Sequence, residues 1–172
     1  MIRQSGFTLP ELMVTVAILA IIGSLAIPSI RDFQSNVRMS TTANLLAVSL
    51  KDARSKSITT RRNVVVSVVN TTTGWRGGWQ TAFQTPLATD PANPLEGQDI
   101  PVNITIGPNP VLLTMTMTGS TGQVTRADGT VLNMVFTVCD SGRTGELGYN
   151  VMINQFGRVA VMRHTAVTTC GT

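Results

Sequence analysis

The hydrophobic positions of this chain change period twice. From Leu12 to Ile30 they are nearly continuous, and no charged residue interrupts them. That run is close to the ~20 apolar residues a helix needs to cross a bilayer. After Arg31 the apolar positions thin to a stripe. Met39, Ala43, Leu46, Leu50, Ala53 and Ser57 recur at spacings of four and three, which places them on one face of a helix. The pattern predicts one long helix, apolar on all sides at first and amphipathic afterwards, that ends near residues 57–60. Pro28 lies inside it and is expected to kink or loosen it locally.

Beyond Asn63 the period shortens to that of strands. Val64 to Val69 is a β-branched run and reads as the first strand. Asn70 to Gly74 reads as a turn, and Trp75 to Phe83 as the returning strand. Gln84 to Gln98 carries Pro86, Pro91, Pro94 and Gly97 and is expected to be loop. Ile100 to Ile106 and Val111 to Thr118 are further strands, separated by Gly107-Pro108-Asn109-Pro110. In the second of these, Leu113, Met115 and Met117 alternate with threonines. Gly119 to Gly129 reads as a turn-rich connection and Val131 to Cys139 as a strand. Asp140 to Gly145 is a flexible loop. Leu147 to Asn154 and Arg158 to Arg163 form a closing hairpin around Gln155-Phe156-Gly157. One helix followed only by strands predicts an α+β domain, the helix laid across antiparallel sheet.

Composition narrows the function classes. A chain of 172 residues suits one stem and one domain of ordinary size. The formal charge is +4, and it is uneven: between Arg31 and Arg62 seven basic residues face only Asp32 and Asp52. Such a stretch reads first as a solvated face near anionic headgroups or an acidic neighbour, and second as a nucleic-acid surface. The two cysteines, Cys139 and Cys170, have no metal-ligand spacing. In an oxidising compartment they would pair and close a loop of about thirty residues, which stabilises by roughly 3–4 kcal/mol in the chain-entropy account. In a reducing compartment they would stay as buried thiols. A single histidine, His164, and the absence of nucleophile-elbow, P-loop or zinc-protease motifs argue against an enzyme. No catalytic residue, metal site or cofactor is expected. Trp75 and Trp79 read as core packing and loop anchors rather than a stacking platform for single strands.

The amino terminus carries the most specific signal. A short basic, polar leader ends at Gly6, and Phe7-Thr8-Leu9-Pro10-Glu11-Leu12 follows. A secretory signal peptide would be shorter and would end in a small-x-small cleavage site; here the helical pattern continues past Pro28 into Arg31. The motif resembles the class III signal of type IV prepilins and type II secretion pseudopilins. The resemblance implies cleavage by a prepilin peptidase between Gly6 and Phe7, with methylation of the new amino terminus at Phe7. Glu11 becomes an assembly residue by analogy, since a lone acid in an apolar stem is costly unless paired. The implied organisation is a leader over 1–6, a transmembrane stem over 7–30, the amphipathic half of the helix over 31–62 and a periplasmic β-rich pilin domain over 63–172.

Four later pieces resemble the GspH/FimT class of minor pilins and pseudopilins. They are Ala53-Arg54-Ser55-Lys56-Ser57 with Arg61-Arg62, Gly74-Trp75-Arg76-Gly77-Gly78-Trp79, Phe136-Thr137-Val138-Cys139-Asp140, and Asn154-Gln155-Phe156-Gly157-Arg158-Val159. Lys56 departs from the acid usual after the serine of that class. The implied role is a minor pilin that helps to start or cap a type IV pilus, held in the bacterial inner membrane and then in the fibre. Its implied partners are other minor and major pilins, the prepilin peptidase and inner-membrane lipid. A type II secretion pseudopilin is one alternative. The other is a DNA-uptake pilin: DNA-binding relatives carry a GRxR motif, and this chain has Gly157-Arg158-Val159-Ala160, without the second arginine. Arg143, Arg158 and Arg163 are the residues such a reading would use.

Overall fold

The computed structural model describes residues 8–90, 96–98, 100–101, 103–142 and 148–164; of residues 25–29 and 96–98 it describes the backbone only. The chain divides into two units, Met1–Ser35 and Asn36–Thr172. Helix α1, Leu9–Thr60, runs through both without a break, Pro28 included.

In the second unit α1 behaves as its spacing predicts. Met39, Ala43, Leu46, Leu50, Ala53 and Ser57 are all buried, at 1% exposure or less. Burying Met39, Leu46 and Leu50 stabilises the fold by about 1.5–3 kcal/mol each relative to leaving them exposed. The helix ends on a chain reversal rather than on a glycine. The Arg62 N–H donates to the Ser57 carbonyl at 3.1 Å, and the Arg61 N–H donates to the Ile58 carbonyl at 3.3 Å. This is the paired closure of a Schellman cap, and Arg61 occupies its left-handed position with φ +54°.

Strands β1 (Val64–Val68), β2 (Trp79–Phe83), β3 (Glu96–Gln98), β5 (Thr114–Met117) and β6 (Val124–Thr125) form one sheet, in the order β3-β2-β1-β5-β6. Strands β4 (Ile104–Asn109), β7 (Met134–Asp140), β8 (Gly148–Ile153) and β9 (Val159–His164) form a second, in the order β4-β7-β8-β9. Every pairing between neighbouring strands is antiparallel. In β1 the alternation is complete: Val64, Val66 and Val68 are buried, Val65 and Ser67 half-buried. The chain changes sheet after β3, after β4 and after β6, so neither sheet is built from one continuous stretch.

Several expected boundaries shift. Trp75 lies not in a strand but in a short 3-10 turn, Gly74–Gly77; β2 starts only at Trp79. Gly78, at φ +96°, resets the chain between them. The proline-rich stretch 84–98 ends in a short edge strand, because Trp79, Gln80 and Thr81 offer β3 a free edge. Strand β4 starts at Ile104 rather than Ile100 and takes in Gly107, Pro108 and Asn109, which the sequence suggested as separators. Proline is tolerated there because β4 is an edge strand. Strand β6 lies inside the expected connection 119–129.

The two tryptophans are core residues, 2% and 1% exposed. Trp75 meets Phe136 edge to face, with ring centroids 4.8 Å apart. That contact joins the turn between β1 and β2 of one sheet to the centre of β7 in the other.

Candidate functional site

Over its described residues the first unit is a helix that exposes apolar side chains all round. Leu9, Leu12, Met13, Val14, Val16, Ile18, Leu19, Ile21 and Ile22 are each more than half exposed. Isolated exposed apolar residues are ordinary, but a continuous surface of this extent needs an apolar surrounding. Two polar side chains of the stem are satisfied within it: the Thr15 hydroxyl donates to the Leu12 carbonyl at 2.8 Å and the Ser24 hydroxyl to the Ile21 carbonyl at 2.7 Å. Glu11 stands in the first turn of α1 and is exposed. A carboxylate there interacts favourably with the helix dipole. Among the described residues no helix is long and apolar enough to cross a membrane. The full uncharged run from Leu12 to Ile30 is a property of the sequence. Gly6 and Phe7 lie outside the described residues.

Of the arginines a nucleic-acid reading would use, the two described, Arg158 and Arg163, do not converge. Arg143 lies outside the described residues. Arg158 is exposed directly after the β8–β9 turn, and Arg163 is exposed near the far end of β9. Five residues of extended chain separate them by roughly 16 Å. Arg158 lines one end of a groove of about 380 Å³ over Val135, Met152 and Ala160, side chains that share one row across β7, β8 and β9.

A different arginine is held more closely. Arg54, on α1, runs beneath two turns whose glycines have positive φ, Gly122 at +66° and Gly157 at +72°. A Cβ on Gly157 would stand 2.5 Å from Arg54 Cδ, and one on Gly122 would stand 3.2 Å from Arg54 Nε. The turns are tied together, since the Val124 N–H donates to the Gln155 carbonyl at 3.0 Å. Asn154 Oδ1 accepts from the N–H groups of Phe156 and Arg158, and Asn133 Oδ1 from that of Gln155. Arg54 Nε is buried with no hydrogen-bond partner, and the residue as a whole is half-buried. In sequence Arg54 stands within the piece Ala53-Arg54-Ser55-Lys56-Ser57, where nothing local gives it a role. The signal was present as an arginine between Ala53 and Ser57 of the buried stripe.

By sequence the Arg61-Arg62 pair belongs to a solvated basic face. Arg62 instead clamps the loop after β2. Its Nη1 and Nη2 donate to the two carboxylate oxygens of Asp90 at 2.9 and 2.6 Å, and Nη2 also donates to the Thr85 carbonyl at 2.6 Å. The guanidinium lies 3.9 Å over the Phe83 ring. Hydrogen bonds from Arg62, then from the Leu87 N–H, lower the Asp90 carboxyl to about 2. The same hydrogen bond raises Arg62 above its ordinary value. Cys139 is 3% exposed and disulfide-bonded; Cys170, its expected partner, lies outside the described residues. Among the described residues no group of acids, histidines and cysteines could hold a metal ion.

Comparison with known proteins adds two kinds of finding. Residues 1–27 match the prokaryotic N-terminal methylation motif. Residues 42–157 match the family described as type II transport protein GspH. Among solved structures, the fold is similar to the type IV minor pilin FimU of Pseudomonas aeruginosa (strain PAO1) in two crystal forms. One matches with a TM-score of 0.58 and 22% identity, over 76% of this chain and 92% of that one. The other matches with a TM-score of 0.55 and 23% identity, over 72% and 91%. These likenesses show a shared pilin fold.

Proposed function

The chain belongs to the GspH family and opens with a prokaryotic N-terminal methylation motif, and from that premise we propose that it is a minor pilin, built into a type IV pilus to start or cap assembly. The observation that carries this reading is the stem. It exposes apolar side chains on every side and continues without a break into a helix half buried under sheet. A surface of that kind is stable in lipid or among other stems and nowhere in water. In this reading a prepilin peptidase cuts after Gly6, and Phe7 becomes a methylated amino terminus. Before assembly the stem is a single anchor in the inner membrane, and the sheet domain faces the periplasm. An acid inside such a stem costs a few kcal/mol. Pairing Glu11 with the amino terminus of the neighbouring subunit offsets that cost and sets the register of docking. In the oxidising periplasm Cys139 pairs with Cys170.

The test is mass spectrometry and fibre fractionation from a strain with and without its prepilin peptidase. The expected product lacks residues 1–6, carries one added methyl group and appears in sheared fibres. Glu11→Ala is expected to be processed yet stay in the membrane fraction. Full incorporation of Glu11→Ala would remove the role given to that residue, and an uncut chain in the fibre would remove the whole reading. The family description favours a second reading, a pseudopilin of a type II secretion machine. It would show as lost export of secreted enzymes on deletion, with surface pili intact.

A further inference from the structure

We infer that Arg54 is the anchor of a protein-docking site that takes a carboxylate side chain, Asp or Glu, from a partner subunit. Its stem is packed between the Gly122 and Gly157 turns: a Cβ on Gly157 would stand 2.5 Å from its Cδ, and one on Gly122 would stand 3.2 Å from its Nε. Its Nε is buried without an acceptor, and the residue as a whole is half-buried. Among the described residues no carboxylate pairs with it; the ion pairs there are Lys56 with Asp52 and Arg62 with Asp90. An arginine whose stem is immobilised has already lost the rotamer freedom that usually opposes an ion pair. The end of the fork, two parallel N–H donors, matches the two oxygens of one carboxylate.

The surroundings favour a protein over a nucleic acid. Ile58, one turn further along α1, is 41% exposed and packs its Cδ1 against Gly122; Phe156, the residue before Gly157, is 53% exposed. An arginine with exposed aliphatic and aromatic neighbours is the composition of a protein interface centre. Nucleic-acid faces are more polar and more densely basic. Depth argues the same way. A glutamate reaches a recessed guanidinium on its own stem, while backbone phosphates meet arginines that project, as Arg158 does. The site names a partner chemistry for an assembly protein, yet it stands on this geometry whether or not the chain enters a fibre.

The experiment uses the full chain in detergent micelles, labelled with ¹⁵N-arginine, and follows the Arg54 Nε–H resonance by NMR. Three probes are titrated: a blocked peptide with one glutamate between leucines, the same peptide with glutamine, and a short oligothymidylate. The expected result is a saturable shift with the glutamate peptide and a response roughly tenfold weaker or more with the glutamine peptide. Binding of the glutamate peptide, read in parallel by fluorescence anisotropy of the labelled peptide, is lost with Arg54→Gln and kept with Arg158→Gln. If Arg54→Gln does not fold, the comparison of the two peptides on the unaltered chain decides alone. Equal responses to both peptides, or none to either at millimolar concentration, overturn the proposal. Saturation by oligothymidylate at a lower concentration than the glutamate peptide assigns the site to nucleic acid and overturns it equally. None of these outcomes bears on processing or fibre entry, so the two readings fail separately.

Discussion

Gly157 and Arg54 lie far apart in sequence and share one small volume: a Cβ on Gly157 would stand 2.5 Å from Arg54 Cδ and 2.6 Å from the Gly122 carbonyl oxygen. Gly157 also has φ +72°. Gly157→Ala therefore meets a left-handed conformation, costing ~1 kcal/mol, and an overpacked site, costing ~1–3 kcal/mol more. The expected loss is about 2–4 kcal/mol in denaturant unfolding of the full chain. In an Arg54→Ala background the loss shrinks without vanishing, because the Gly122 carbonyl stays in place. Equal losses in both backgrounds would show that the two residues are not coupled.

Arg61 caps α1 in a left-handed conformation where glycine is favoured. Arg61→Gly removes ~1–2 kcal/mol of backbone strain and gives back ~0.4–1 kcal/mol through the freer unfolded chain. The variant is expected to be more stable by about 0.5–1 kcal/mol, seen as a higher thermal midpoint. An unchanged or lower midpoint would mean that the Arg61 side chain contributes more than its strain costs.

The Arg62–Asp90 clamp carries a pH signature. The folded carboxyl is lowered to about 2 from a model-compound value of 3.8. Its contribution is present above the unfolded value and is lost as pH falls through the folded one. The difference in thermal midpoint between the native chain and Asp90→Asn is thus expected to be full at pH 5 and to close between about pH 4 and 2. Asp128, lowered chiefly by the Thr130 hydroxyl, shifts stability with the same sign, but it does so in both proteins and cancels in the comparison. A difference that stays constant down to pH 2 would contradict the assignment.

Nucleic-acid binding is tested by a mobility-shift assay over a salt series, with Arg158→Gln and Arg163→Gln beside the native chain. Two arginines roughly 16 Å apart along β9 form no joint grip on one phosphate. The expected outcome is no shift at micromolar protein in moderate salt. A salt-sensitive shift that both variants weaken would turn the functional reading to DNA uptake.

Period and composition alone determined the stem, the buried stripe from Met39 to Ser57, the first strand and the closing hairpin. Each rests on local chemistry: an uncharged run, a spacing of four and three, a β-branched alternation, a glycine turn. The amino-terminal motif was legible for the same reason, since the match over residues 1–27 rests on linear sequence. The tertiary structure decided the rest. Strand β3 exists because β2 offers it an edge, and β4 accepts Pro108 because no strand lies on its other side. Arg62 left the solvated face when folding brought Asp90 to it. Arg54 gained its place only when turns 118–123 and 154–157, one from each sheet, closed over the end of the helix. Those are contacts between distant segments, and no local pattern in the chain encodes which distant segments will meet.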